Sequence, residues 1–192
     1  MKMNQELEIE FKNLLTEEEF QRLLAAFSIT EKQFLMQENY YFDTPNFSLK
    51  DNGAALRIRT KEGAHTLTLK QPVKDGLLET HQKVTEKQAI SMLNGGPLIE
   101  GEINNIINFF DIDVSRVQYF GSLKTSRAEI NYKSGILVFD HSHYLQVDDY
   151  EIEFEVTDRQ TGEIEFNELL QSFQIPKRET ENKIRRFARK LT

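Results

Sequence analysis

ELEIEFK, residues 6–12, alternates without a break: Leu7, Ile9 and Phe11 are apolar, while Glu6, Glu8, Glu10 and Lys12 are charged. A period of two over such a run is that of a β-strand with one buried face. The charged face is what needs explaining. Same-face neighbours on a strand lie about 7 Å apart. Two carboxylates at that spacing repel by about 0.6 kcal/mol in water and by about 2.4 kcal/mol at an effective dielectric of about 20. A strand that needed only to be soluble would mix its signs.

The same division recurs along the chain. AALRIRT sets Arg57 and Arg59 opposite Leu56 and Ile58, and TLTLK sets Thr66, Thr68 and Lys70 opposite Leu67 and Leu69. KTSRAEINY sets Arg127 and Glu129 opposite Ala128 and Ile130, and GILVFD ends on Asp140. YEIEFEV sets Glu151, Glu153 and Glu155 opposite Ile152, Phe154 and Val156. One such strand is an ordinary amphipathic edge of a sheet. The whole set segregates Glu-x-Glu and Arg-x-Arg onto separate strands, so neutralisation is regained only between strands. A closed barrel with a polar interior accounts for this better than a solvated sheet face does.

Between these strands lie helical stretches. Thr16 opens TEEEFQRLLAAF with Glu19 as its capping-box partner. EKQAISMLNGG and PLIEGEINNIINFF form a helical middle, and EIEFNELLQSFQ and ETENKIRRFARKL close the chain. Turn formers at Thr44-Pro45-Asn46, Asp51-Asn52-Gly53, Glu62-Gly63 and Asp75-Gly76 separate the extended segments. The expected class is α+β: about eight or nine strands, mostly hairpin-connected, in an antiparallel sheet large enough to curl or close, with helices inserted between and after them. Residues 1–192 read as a single domain without linker or repeat.

Composition narrows the function. The 192 residues carry a net charge of −7 and no cysteine, which excludes disulfides and thiolate metal sites. An acidic chain lacks the basic footprint of a general nucleic-acid binder. MKMNQELEIEF offers no signal-peptide core, and no stretch has the length of a membrane span, so a cytoplasmic protein is expected. There is no Walker loop, GxSxG or HExxH. Hard-oxygen carboxylates suit Mg²⁺ or Mn²⁺, and Arg and Lys suit an anion with several negative charges. Together they describe a phosphoryl-transfer site. Asp140-His141-Ser142-His143 reads as a turn rather than a metal cluster, and His65 and His81 as solvent-facing.

EIEFK at 8–12 matches the ExExK signature of the CYTH superfamily, the triphosphate tunnel metalloenzymes. It is followed in order by YFDT (41–44), LRIR (56–59), TLTLK (66–70), the Arg of KTSRAEI, the Asp of LVFD, EFE (153–155) and a Lys in the last helix. The chain therefore resembles class IV adenylyl cyclases, thiamine triphosphatases, inorganic triphosphatases and fungal RNA triphosphatases. The resemblance implies a closed eight-stranded antiparallel β-barrel forming a tunnel, with helices packed outside it and at the C-terminus. It implies a divalent metal held by Glu8, Glu10, Asp140, Glu153 and Glu155. Lys12, Arg57, Arg59, Lys70, Arg127 and Lys183 would bind the triphosphate, with Arg186 as a substitute for Lys183. Tyr41 and Lys70 occupy the places of a pair that activates water, and metal-bound water is the alternative. Ile184, Phe187, Ala188 and Leu191 give the last helix an inward stripe. Glu6 and Glu151 extend their charged faces by one step and read as tunnel-mouth or surface residues. The expected partner is a small-molecule triphosphate, with neither nucleic acid nor membrane, and a homodimer stays open. Three functions fit: a metal-dependent triphosphatase, an adenylyl cyclase releasing pyrophosphate, and a polyphosphate-binding module without chemistry. The first is favoured, because a pure anion binder would gain by discarding its carboxylates.

Overall fold

The computed structural model describes residues 4–191, with the side chain of Leu191 outside the description. The order is β1 (Gln5–Leu15), α1 (Glu17–Ala26), β2 (Leu35–Asp43), α2 (Ser48–Asp51), β3 (Ala55–Lys61), β4 (Ala64–Val73) and β5 (Gly76–Val84). There follow α3 (Glu86–Leu93), α4 (Glu102–Phe109), β6 (Gln118–Tyr132), β7 (Gly135–Tyr144), β8 (Val147–Val156), α5 (Arg159–Ser172) and α6 (Lys183–Leu191). The eight strands close into a barrel in the order β1-β5-β4-β3-β2-β6-β7-β8. This is the expected α+β barrel.

Local signals explain most boundaries. Thr16 and Glu19 form the anticipated capping box of α1, and Thr85 and Gln88 form another at α3. Several elements differ from expectation. α5 starts at Arg159 because the Asp158 carboxylate accepts the Thr161 amide as an N-cap. α6 starts only at Lys183, because the preceding stretch is tied to β1 instead. Asn13 accepts the Arg178 amide at 2.6 Å, and Thr180 accepts the Leu14 amide at 2.9 Å. β7 also runs on through His141 and His143 to Tyr144, so the expected turn at Asp140 is corrected to strand. The two imidazoles share an outer face and both bond Asp148, which satisfies a polar stretch inside a strand.

The chain forms two compact units. One comprises the chain up to Leu7 together with Gln37–Leu123, and the other comprises Glu8–Met36 and the chain from Lys124 on. Each has its own apolar core. In the first, Leu56, Ile58, Leu67 and Leu69 pack under Met92 of α3 and Ile103 and Ile107 of α4. In the second, Ile9, Phe139, Ile152 and Phe154 pack under Phe20 and Leu23 of α1 and Phe166 and Leu169 of α5. In each unit the apolar strand faces therefore lie beneath helices, and the charged faces point the other way.

α5 approaches the sheet closely at Gly162. A Cβ there would stand 2.6 Å from Val156 Cγ2 and 2.9 Å from Phe11 Cε2. Overpacking of this kind costs about 1–3 kcal/mol, against about 1 kcal/mol gained in helix propensity. Gly162→Ala should lower the unfolding free energy by a net of up to about 2 kcal/mol, read as a lower urea midpoint; an unchanged midpoint would show that α5 can move away.

Candidate functional site

In the second unit, β1, β8, β7 and β6 bring their charged faces into register. Glu10 stands opposite Glu155 and Lys12 opposite Glu153, while Arg127 stands opposite Asp140, itself opposite Glu151. Alternation puts Glu8 on the same face of β1 as Glu10. Arg127 clasps Asp140 through two bonds, of 2.7 and 2.6 Å, reaches Glu153 at 2.7 Å and stands 3.8 Å from Glu155. Lys183, delivered by the first residue of α6, inserts its ammonium between Asp140 (2.8 Å), Glu151 (2.5 Å) and Glu153 (2.6 Å). Lys12 pairs with Glu10 and bonds Asn182 at 3.0 Å.

These groups hold one another ionised. Burial disfavours the charge on Arg127 and Lys183, but the surrounding carboxylates outweigh it and raise both well above their ordinary range. Asp140 and Glu153 are desolvated too, yet Lys183 and Arg127 bring both carboxyls below the usual carboxylate range. Glu151 behaves differently. Burial raises its carboxyl to about 7; Lys183 opposes the shift and neighbouring Glu153 adds to it. It is 1% exposed and also meets Arg186 at 2.7 Å. The reading of Glu151 as a tunnel-mouth or surface residue is therefore corrected: it is buried among Lys183, Arg186 and Glu153. Glu6, by contrast, has a 70% exposed side chain. Arg186 joins Lys183 rather than replacing it, bridging Glu151 and Asp149 (3.0 Å).

Which carboxylates suit a metal ion follows from this balance. Oxygens of Asp140, Glu151 and Glu153 lie within 4.8 Å of one another. Arg127 and Lys183 already neutralise that trio, and a further cation there would compete with the Lys183 ammonium. Glu10 and Glu155 differ: Glu10 is paired with Lys12, whereas Glu155 only stands 3.8 Å from Arg127. They are like charges directly opposed on neighbouring strands, an arrangement that destabilises a sheet. The carboxyl of Glu155 is raised by burial and, against the pull of Arg127, by Glu153 and Glu10. Hard-oxygen groups left with uncompensated repulsion fit a divalent cation.

In the first unit, β2, β3, β4 and β5 place Tyr41 opposite Arg57, Arg57 opposite Thr68, and Thr68 opposite His81. Arg59 donates to Asn39 at 2.9 Å, and Lys70 pairs with Glu79. The Nε of Arg57 is buried without a hydrogen-bond partner. Burial opposes charge on Glu79, but Lys70 and Arg57 bring its carboxyl down to about 2. His81 reaches the Glu79 and Glu6 carboxylates at 3.3 and 3.4 Å and shares a 3.0 Å bond with Thr68. Glu6, Glu79 and His81 form a second trio able to hold a metal ion. His81 is thus corrected from solvent to cluster. GLLETHQKVT gave a faint signal for it, since Glu79, His81 and Lys83 share one strand face. His65 is half-buried against Thr60. Tyr41 is 4% exposed and packs on Phe120.

No helix among the described residues is long and apolar enough to cross a membrane. Comparison with known proteins matches residues 6–188 to the CYTH domain. A Bacillus subtilis protein named "Putative triphosphatase YjbK" is 52% identical over 185 residues, covering 96% of each chain. A crystal structure from Bacillus halodurans, described as that of a "putative adenylate cyclase", is 45% identical, covers 96% of this chain and 99% of its own, and superposes with a TM-score of 0.93. HpAC1 from Hippeastrum, described as having a dominant triphosphatase activity, is 23% identical with a TM-score of 0.79 over 96% of both chains, and supports the fold.

Proposed function

The chain belongs to the CYTH domain family, and from that premise we infer that it is a divalent-metal-dependent triphosphatase. The observation that carries the reading is the opposed pair Glu10 and Glu155: Lys12 pairs with Glu10, while Glu155 stands 3.8 Å from Arg127 and its carboxyl is raised by burial and by Glu153 and Glu10. Glu8, Glu10, Asp140, Glu153 and Glu155 are proposed as the metal-holding carboxylates, with Glu155 the least compensated among the paired groups. A bound Mg²⁺ or Mn²⁺ would supply a Lewis acid for phosphoryl oxygens and a lowered pKa for water.

The chain's own cations do the rest. Lys12, Arg127 and Lys183 are ionised and already oriented by carboxylates, so they would receive phosphate oxygens with little reorganisation. Arg57, Arg59 and Lys70 are proposed for the triphosphate on the family resemblance, and the unpartnered Nε of Arg57 is a donor awaiting an acceptor. Tyr41 and Lys70 are proposed to orient the attacking water and to take its proton. Glu79, paired with Lys70, keeps the ammonium in place. Residues 1–192 are taken as one functional domain.

With Mg²⁺ or Mn²⁺, the purified protein should release orthophosphate from tripolyphosphate, ATP or thiamine triphosphate, and EDTA should stop it. The description of the Bacillus halodurans relative favours a second reading, adenylyl cyclase. Cyclic AMP and pyrophosphate appearing from ATP, without orthophosphate, would establish that reading in place of hydrolysis.

A further inference from the structure

A turn at Asp140-His141-Ser142-His143 would not hold its two imidazoles on one face. The strand instead continues, so His141 and His143 stand two residues apart on the outer face of β7, about 7 Å along the chain. β8 supplies a third polar group. Asp148 lies directly across from His143, and its Oδ1 is 2.8 Å from His141 Nε2 and 3.3 Å from His143 Nδ1. Tyr150, across from His141, stacks on that imidazole with ring centroids 4.6 Å apart and planes inclined by 17°. The tyrosine ring is itself packed against Phe20 at 5.1 Å, so His141 has a fixed seat.

Two imidazoles and a carboxylate make a ligand set of borderline softness, suited to Zn²⁺, Ni²⁺ or Cu²⁺ rather than to Mg²⁺. The spacing agrees. With metal–ligand bonds of about 2.0–2.2 Å, two donor atoms on one tetrahedral ion lie about 3.3 Å apart, and both nitrogens already stand near that distance from Oδ1. The set is looser than the two trios described above, but the His143 side chain is 61% exposed and can turn to close on an ion. Each nitrogen would give the ion its lone pair, its proton passing to the other ring nitrogen. Lys124, across from His143, is exposed, so its ammonium can turn to water. The neighbouring turn gives such an ion a task. Leu145 and Gln146 both have positive φ, 46° and 63°, where a two-residue hairpin favours Asn-Gly.

We propose that His141, His143 and Asp148 form an outer-face site for a borderline divalent cation such as Zn²⁺, which staples β7 to β8 beside their unfavourable turn. The site is separate from the hard-oxygen carboxylates, because alternation sends Asp140 to the opposite face of β7 from His141 and His143. It goes beyond the triphosphatase reading and does not depend on it. Tying His143 to Asp148 holds the register in which Asp140 stands opposite Glu151, so the ion would steady the hairpin that carries those carboxylates.

The test uses the full chain without a polyhistidine tag, titrated with ZnCl₂ by calorimetry in excess Mg²⁺, so that hard-oxygen sites are already served. Zn²⁺ should bind despite the Mg²⁺, and at about 100 times its Kd it should raise Tm by roughly 5–10 °C. Amide hydrogen exchange across residues 141–150 should slow when it binds. His143→Gln and Asp148→Asn change exposed side chains, and each should weaken Zn²⁺ binding at least about tenfold. Zn²⁺ binding of native tightness in both variants would place the ion elsewhere and overturn the site. Failure of the native chain to bind Zn²⁺, or binding that leaves exchange in 141–150 unchanged, would overturn it too.

Discussion

Replacing Arg127 by Met should lower the unfolding free energy at pH 7 by about 3–5 kcal/mol, the usual effect of removing one partner from a buried ion cluster. For a chain of this size that is a fall in Tm of roughly 6–20 °C. Asp140 is fully buried and Glu153 is 4% exposed, so neither can turn to water when the guanidinium goes. Lys183 would then face Asp140, Glu151 and Glu153 alone. The pH dependence should change as well. In the native protein both carboxyls are held below their ordinary range, so their contribution is present above that range and is lost as pH falls through the depressed values. Without Arg127, only Lys183 opposes desolvation, so the depression should shrink and the stability difference between the two proteins should narrow as pH falls through the carboxylate range. Thermal melts of both proteins across that interval are the measurement. Parallel curves would show that Arg127 is not the counter-ion of this cluster.

Glu10→Gln and Glu155→Gln should do the reverse, abolishing most turnover while leaving the fold intact. Each removes one charge from an opposed pair, which relieves repulsion worth a few tenths to about 1 kcal/mol. In Glu10→Gln the amide oxygen can still accept from Lys12, which keeps Glu153 and Glu151 as counter-charges. Melting temperatures should therefore hold or rise slightly. Turnover should fall on the order of 100- to 1000-fold, as when one preorganised electrostatic contact to the reacting groups is lost. A variant that unfolds, or one that melts normally and keeps native turnover, would remove these two carboxylates from the proposed metal set.

Most of the barrel could be read from the chain because its strands alternate strictly. ELEIEFK and YEIEFEV each separate charge from bulk at every step, and in the structure Glu10 faces Glu155 and Lys12 faces Glu153. Depth was not legible. Alternation assigns Glu151 the same face as Glu153 and Glu155, but only the docking of α6, which brings Lys183 and Arg186 onto it, buries it. The tail of β7 was hidden for a different reason. His141 and His143 are polar where an outer face is usually apolar, and the Asp148 carboxylate that satisfies them lies beyond the hairpin turn. α2 is four residues long, too short for a period to register, and its geometry is set by Asp43 rather than by its own side chains.

The pairing of Ile9 with Val156 has a consequence for biosynthesis. β1 is synthesised before the other strands of the barrel, and its partner β8 after them. At about 5–20 residues per second, the gap is roughly 7–30 s. Through that interval ELEIEFK is an unmatched edge with an apolar side, open to association with other nascent chains. Its row of like charges is the one feature that discourages such encounters, so the carboxylates proposed for catalysis would also act as gatekeepers during translation.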